Sequence, residues 1–114
     1  MNQSANLAGM LLNAGHPNQC VRVIRDALPV FEETLGIDHP RVGVASTILA
    51  YALRAQGDKT GAERYYRRAL AIDEAAYGSR HSQTMNDVRT LAEFLSEIGR
   101  AQEAAALERR IKAP

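Results

Sequence analysis

The sequence predicts an all-α fold, a right-handed solenoid of three antiparallel helix pairs. The first reason is that the chain repeats itself. Sliding it by 42 residues gives 20 identities in 72 comparable pairs, where this composition gives roughly 6 by chance. The second is that no segment alternates apolar and polar residues with a period of two over a useful length, so we expect no sheet.

Three glycines mark the period of the repeat. Gly15, Gly57 and Gly99 stand one period apart, and each follows a Leu-Ala pair and a further Leu at the same offsets. Glycine readily adopts the positive φ with which many helices end, so each of these residues is expected to close the first helix of a pair. Pro17 and Asp58, just after two of these glycines, are typical of helix starts.

These signals place six helices and one domain. Each pair consists of a first helix, the glycine turn and a longer second helix, which ends at Gly36 or Gly78 in the first two units. The domain spans residues 1–114, with repeats at roughly 1–40, 41–82 and 83–114. The predicted helices are 3–14, 17–35, 40–56, 59–77, 82–98 and 101–112.

Small residues recur where the two helices of a pair must cross. Ala8, Ala50 and Ala92 hold this place on the first helices, because a bulkier side chain would push the helices apart. Cys20 holds the equivalent place on the second helix of the first unit, and we interpret it as a small buried residue. Pro29 falls inside that same helix and should bend or break it, since proline removes one backbone hydrogen bond.

The composition limits the kinds of partner and cellular location that we expect. The formal charge of +1 gives no general reason to expect nucleic acid or an anionic membrane as partner. The chain has a single cysteine, so it forms no internal disulfide, and no apolar run approaches the roughly 20 residues that span a bilayer. We expect a soluble, cytoplasmic protein.

The segments NLAGMLLNAG, TILAYALRAQGDKTGAERYYRRALAIDEAAYGSRH and TLAEFLSEIGRAQEAAALERR resemble the tetratricopeptide repeat. The length of the period is similar to that of kinesin light chains and their bacterial relatives. The resemblance covers nearly the whole chain. It implies a protein-interaction scaffold that holds a peptide or partner helix in a concave groove, as part of a larger signalling protein. The Ala- and Arg-rich composition favours a bacterial source.

The first helices are expected to line that groove. Asn6 matches the asparagine with which relatives bind a peptide backbone, but Ile48 and Thr90 replace it in the other units. Arginine donors in the groove favour a ligand with carboxylates. The predicted groove residues are Asn6, Asn13, Tyr51, Arg54, Asn86 and Arg89.

Two other functions stay open on the sequence. The first helix has an apolar side that another copy could cover, so self-assembly is the alternative function; the residues of this edge are Leu7, Met10, Leu11 and Leu12. The arginines of the second helices raise the possibility of nucleic-acid binding. Acidic residues four positions away, such as Glu63 before Arg67, favour an ordinary solvated face instead.

No catalytic or metal site is predicted. His39 and His81 recur with the repeat, but one repeat separates them by roughly 20 Å, too far for a shared metal. We expect them to close the loop into the next helix. The chain has no Gly-rich phosphate loop and no Ser/His/Asp set, so we expect neither enzyme activity nor a cofactor.

Overall fold

The computed structural model describes the backbone of residues 2–112 and the side chains of residues 7–110. All regular structure in that part of the chain is helical, which confirms the all-α solenoid prediction. Every helix boundary lies within one residue of the predicted one. The helices are α1 (Asn2–Asn13), α2 (Pro17–Leu35), α3 (Pro40–Ala55), α4 (Lys59–Tyr77), α5 (Ser82–Glu97) and α6 (Ala101–Lys112).

The glycine turns have the expected geometry. Gly57, between α3 and α4, has a φ of +85°, a conformation that side-chain-bearing residues rarely adopt. The next residue, Asp58, caps α4 by accepting a 2.9 Å hydrogen bond from the N–H of Gly61. Turn and cap together reverse the chain within a three-residue connection, which makes α3 and α4 antiparallel neighbours.

The two recurring histidines cap the first helices of the second and third units. Nδ1 of His39 accepts a hydrogen bond of 3.0 Å from the N–H of Arg41, and Nδ1 of His81 accepts one of 3.1 Å from the N–H of Gln83. Each bond satisfies a backbone donor that the first turn of a helix leaves unpaired. The structural role expected for both histidines is therefore confirmed.

The small residues lie in the core as predicted. Ala8, Ala50 and Ala92 are fully buried, and so is Cys20. Burial also raises the pKa of the Cys20 thiol, which makes the reactive thiolate harder to form. Small volumes at these positions let the helices of each pair approach closely.

The helices pack in chain order, and the two junctions between units differ. At the first junction α1 packs directly against α3. At the second, no Cα atom of α3 comes within 8 Å of one in α5. The backbones of α3 and α5 are therefore farther apart, and a pocket between these two helices forms the site described below.

Helix α2 continues through Pro29. Every residue from Pro17 to Leu35 is helical, so the proline does not break the helix. Its ring lies on the exposed face, where the carbonyl that loses its partner can bind water. The smaller bend that the sequence suggests stays a prediction.

Candidate binding site

A pocket of about 350 Å³ lies between α3 and α5, the first helices of the second and third units. One wall belongs to α3 and is largely apolar, with Val44, Ile48 and Tyr51. The opposite wall is polar and comes from the start of α5, with Gln83, Asn86 and Asp87. The end of α4 closes the pocket with Asp73 and Tyr77. Such a cleft, with apolar surface beside a few polar groups, is typical of a ligand site.

Three exposed apolar side chains border the pocket. Val44 is 54% exposed, Tyr77 44% and Tyr51 38%. The ring of Tyr77 stacks on His81 at a centroid distance of 4.5 Å, and Tyr51 meets Tyr66 edge to face at 5.5 Å. Both tyrosines are thus held in place by neighbouring rings, so they can offer apolar area to a ligand at little entropic cost.

Arg54, one turn beyond Tyr51, is already engaged by the protein itself. Its guanidinium forms an ion pair with Glu97 of α5, donates a 3.4 Å hydrogen bond to the hydroxyl of Tyr66 and lies 5.5 Å from the ring centre of Phe94. Burial lowers the pKa of Arg54, but the bonds to Glu97 and Tyr66 outweigh it and the pKa is raised. Arg54 therefore links α3 to α5 beside the pocket.

The structure brings together part of the predicted groove set. Tyr51 of α3 and Asn86 of α5 both line the pocket. Asn13, the last residue of α1, and Arg89, on α5, are exposed and do not line it. The side chain of Asn6 lies outside the described residues.

Two carboxylates that were not predicted as site residues lie in the pocket. Asp73 and Asp87 come from different helices, and their side chains are close enough to interact. Burial, followed by the hydrogen bond and negative charge of Asp73, raises the pKa of Asp87 to about 8. A sequence signal existed: one repeat earlier these positions are Phe31 and Ala45, so two apolar residues of the first junction become acidic at the second.

The predicted self-association edge is partly exposed. Met10 is 67% exposed and Leu7 48%, whereas Leu11 and Leu12 are half-buried against the core. Half of the edge thus contributes to the packing of the first helix pair. The other half leaves apolar area on the outside of α1.

Three arginines of the second helices form ion pairs with glutamates. Arg67 bonds Glu63 within α4 at 2.8 Å, and Arg68 bonds Glu32 of α2 at 2.8 Å. Arg110 bonds Glu74 of α4 in the same way at 2.7 Å. This interleaving of charges matches the solvated face that the sequence favoured.

The repeated helix pairs, the glycine turns and the length of the period are characteristic features of one repeat family. The profile of the tetratricopeptide repeat matches residues 1–75 and again residues 44–112. The chain belongs to the tetratricopeptide repeat family. Repeats of this family generally mediate protein–protein interaction and are typically non-enzymatic scaffolds.

Solved structures of tetratricopeptide repeats have the same fold. A Podospora anserina protein described as a kinesin light chain, with nearly identical TPR-like repeats, is similar with a TM-score of 0.83 and 23% identity over 96% of this chain. The chain spans 52% of that structure's length. The TPR domain of Arabidopsis FLU is similar with a TM-score of 0.80 and 19% identity, covering 97% of this chain and 90% of the domain. A search of curated proteins finds no significant match.

Two kinds of feature are missing from the described part of the chain. Its helices include none that is long and apolar enough to cross a bilayer. Its side chains include no group of three or more His, Cys, Asp or Glu residues arranged to hold a metal ion.

Proposed function

We propose that this tetratricopeptide repeat chain binds a peptide segment of a partner protein in the pocket between α3 and α5. The observation that carries the proposal is the open junction itself. The first junction between units is closed by α1 on α3, whereas the second leaves a pocket of about 350 Å³ beside exposed apolar side chains. A peptide would cover this apolar area and meet the amides of Gln83 and Asn86.

The pocket has room for one or two side chains rather than a whole helix. A partner would therefore insert its contact residues between α3 and α5 while the rest of its segment runs along the surface. Tyr51 and Tyr77 are suited to this contact, because rigid aromatic rings lose little freedom on binding. Arg54 acts indirectly, by holding α3 and α5 at the spacing that keeps the pocket open.

The test is selection of a random peptide library displayed on phage, using three immobilised proteins. These are the native chain, Val44→Arg and the control Val30→Arg. Val44 borders the pocket, so an arginine there would fill it, while Val30 is equally exposed, at 52%, on α2. Circular dichroism and thermal unfolding establish that both variants fold.

Peptides that bind the native chain and Val30→Arg but not Val44→Arg would support the pocket as the site. Peptides retained equally by all three proteins would place binding elsewhere and overturn the proposal. Enrichment of no peptide by the native chain would also count against it.

A second candidate function is self-assembly through α1, favoured by the exposure of Leu7 and Met10. Light scattering coupled to size exclusion tests it, using the native chain and a Leu7→Gln, Met10→Gln variant. An oligomer at tens of micromolar that the variant reduces to a monomer would support assembly through this edge. A native monomer at that concentration would exclude it.

A further inference from the structure

The two junctions between units provide an internal comparison. At the first junction Phe31 and Ala45 are apolar and buried, with exposures of 2% and 0%. At the second, the equivalent positions hold Asp73 and Asp87, which line the pocket. The same scaffold thus carries two buried apolar side chains at one junction and two carboxylates at the other.

The carboxylates are held close together and partly out of water. Oδ2 of Asp87 is buried and has no hydrogen-bond partner among the described residues. Gly43 on α3 lies against Asp73, since a Cβ on Gly43 would come within 3.5 Å of Oδ1 of Asp73. A larger residue at position 43 would crowd this side of the pocket.

At Asp87, no cation among the described residues offsets the negative charge of Asp73. Burial and Asp73 both raise the pKa of Asp87, and no cation opposes them, although Arg41 also borders the pocket. Two like charges in a partly buried site destabilise each other, and an opposite charge placed beside them removes that penalty. Other arginines of the chain are engaged with glutamates, namely Arg54, Arg67, Arg68, Arg100 and Arg110.

We infer that the pocket between α3 and α5 receives a lysine or arginine side chain of the bound peptide, whose cationic group pairs with Asp73 and Asp87. This inference rests on the proposed function and names the chemistry of its ligand. The aliphatic stem of the inserted side chain would lie along Val44 and Ile48, as long cationic side chains commonly pack on apolar surface. The peptide therefore differs in charge from the carboxylate-bearing ligand that the arginines in the sequence favoured.

Charge complementarity distinguishes this occupant from two others. A peptide carboxylate would add a further negative charge beside Asp73 and Asp87 and would be repelled. A divalent cation such as Ca²⁺ prefers six or more oxygen ligands, and two carboxylates supply only part of such a set. A peptide cation needs no more than the ion pair and the apolar wall.

The experiment uses acetylated and amidated peptide sub-libraries in which one position is fixed as lysine, arginine, norleucine or glutamate. Norleucine keeps the stem of lysine without its charge. Binding is measured by fluorescence anisotropy with three proteins. These are the native chain, the double variant with Asp73→Asn and Asp87→Asn, and a control double variant with Glu33→Gln and Glu108→Gln. The control removes two exposed carboxylates that do not line the pocket, so both variants carry the same net charge.

We expect the lysine and arginine sub-libraries to bind the native chain about 10-fold more tightly than the norleucine one, which corresponds to about 1.4 kcal/mol. The preference for a cationic peptide should disappear in the double variant with Asp73→Asn and Asp87→Asn, and it should persist in the control. If both double variants kept the preference for a cationic peptide, groups other than Asp73 and Asp87 would receive the cation. That result would overturn the inference.

Binding of all sub-libraries with equal affinity would overturn the inference and leave the proposed function standing. Tighter binding of the glutamate sub-library would also overturn the inference and leave the proposed function standing. Absence of binding by every sub-library would contradict both. Addition of CaCl₂ provides the last comparison: displacement of the lysine peptides by millimolar Ca²⁺ would identify a metal site instead and would count against the peptide cation.

Discussion

Glu32 and Arg68 form an ion pair that recurs one repeat later. The carboxylate of Glu32 on α2 accepts a 2.8 Å hydrogen bond from Arg68 on α4, and Glu74 on α4 accepts one of 2.7 Å from Arg110 on α6. Glu74 and Arg110 hold the same places in the repeat as Glu32 and Arg68. The second helices of successive units are therefore tied together by the same pair at both junctions.

We expect this pair to contribute modestly to stability. Glu32 and Arg68 are each 29% exposed, so a double-mutant cycle with Glu32→Gln and Arg68→Gln should give a coupling free energy of about 0.5 kcal/mol. Denaturant unfolding measures it at low salt, and a molar concentration of NaCl should reduce it. The equivalent cycle on Glu74 and Arg110 is the matched comparison. Zero coupling at low salt would show that the pair does not stabilise the junction.

Thr84 offers a stabilising substitution. Its side chain is fully buried, and Oγ1 has no hydrogen-bond partner among the described residues. Thr84→Val removes this unpaired hydroxyl and keeps the shape, so the free energy of unfolding should rise by about 1 kcal/mol. The equivalent residue of the second unit is Val42, also fully buried, and Val42→Thr should lower the free energy by about 1–2 kcal/mol. A loss of stability in Thr84→Val would contradict the unpaired state of the Thr84 hydroxyl.

The acidic pair predicts a pH dependence of stability. The pKa of Asp87 is about 8 in the folded protein against 3.8 ordinarily, so the folded state holds a proton that the unfolded chain releases. The free energy of unfolding should therefore fall as the pH rises from about 4 to 8 and level off above. The charged or titratable groups around the pocket are Arg41, Tyr51, Asp73 and Tyr77.

Asp87→Asn should remove this part of the pH dependence and make the protein more stable than the native chain at pH 8. Urea unfolding at a series of pH values measures both effects. Glu33→Gln, which changes an exposed carboxylate, serves as the control. If native and Asp87→Asn proteins had parallel pH profiles, the two carboxylates would not interact as described.

Two glycines should respond in opposite directions to alanine. Gly57 has a φ of +85°, so Gly57→Ala introduces strain and should cost about 1–2 kcal/mol. Gly9 lies inside α1 with open space around the position of a Cβ, so Gly9→Ala should stabilise the protein by about 0.5–1 kcal/mol. Thermal unfolding of the two variants measures whether each substitution raises or lowers the stability. A neutral Gly57→Ala would mean that the turn can relax.

The repeat, the six helices and their turns could all be predicted from the sequence alone. These features depend on local chemistry: a fixed period, glycines where φ must be positive, and small residues such as Ala50 where helices cross. Each of these can be read at a single position or at a fixed spacing. The structural role of His39 and His81 also followed from their place in the repeat.

The contents of the pocket became clear only from the packed structure. Asp73 and Asp87 lie on different helices, and whether their side chains meet depends on how α4 and α5 are rotated about their axes. The same is true of Arg54, which the sequence placed in the groove and the structure pairs with Glu97. Helix rotation and side-chain direction arise from the packing of the whole array, so the repeat pattern gives the positions of such residues but not their partners.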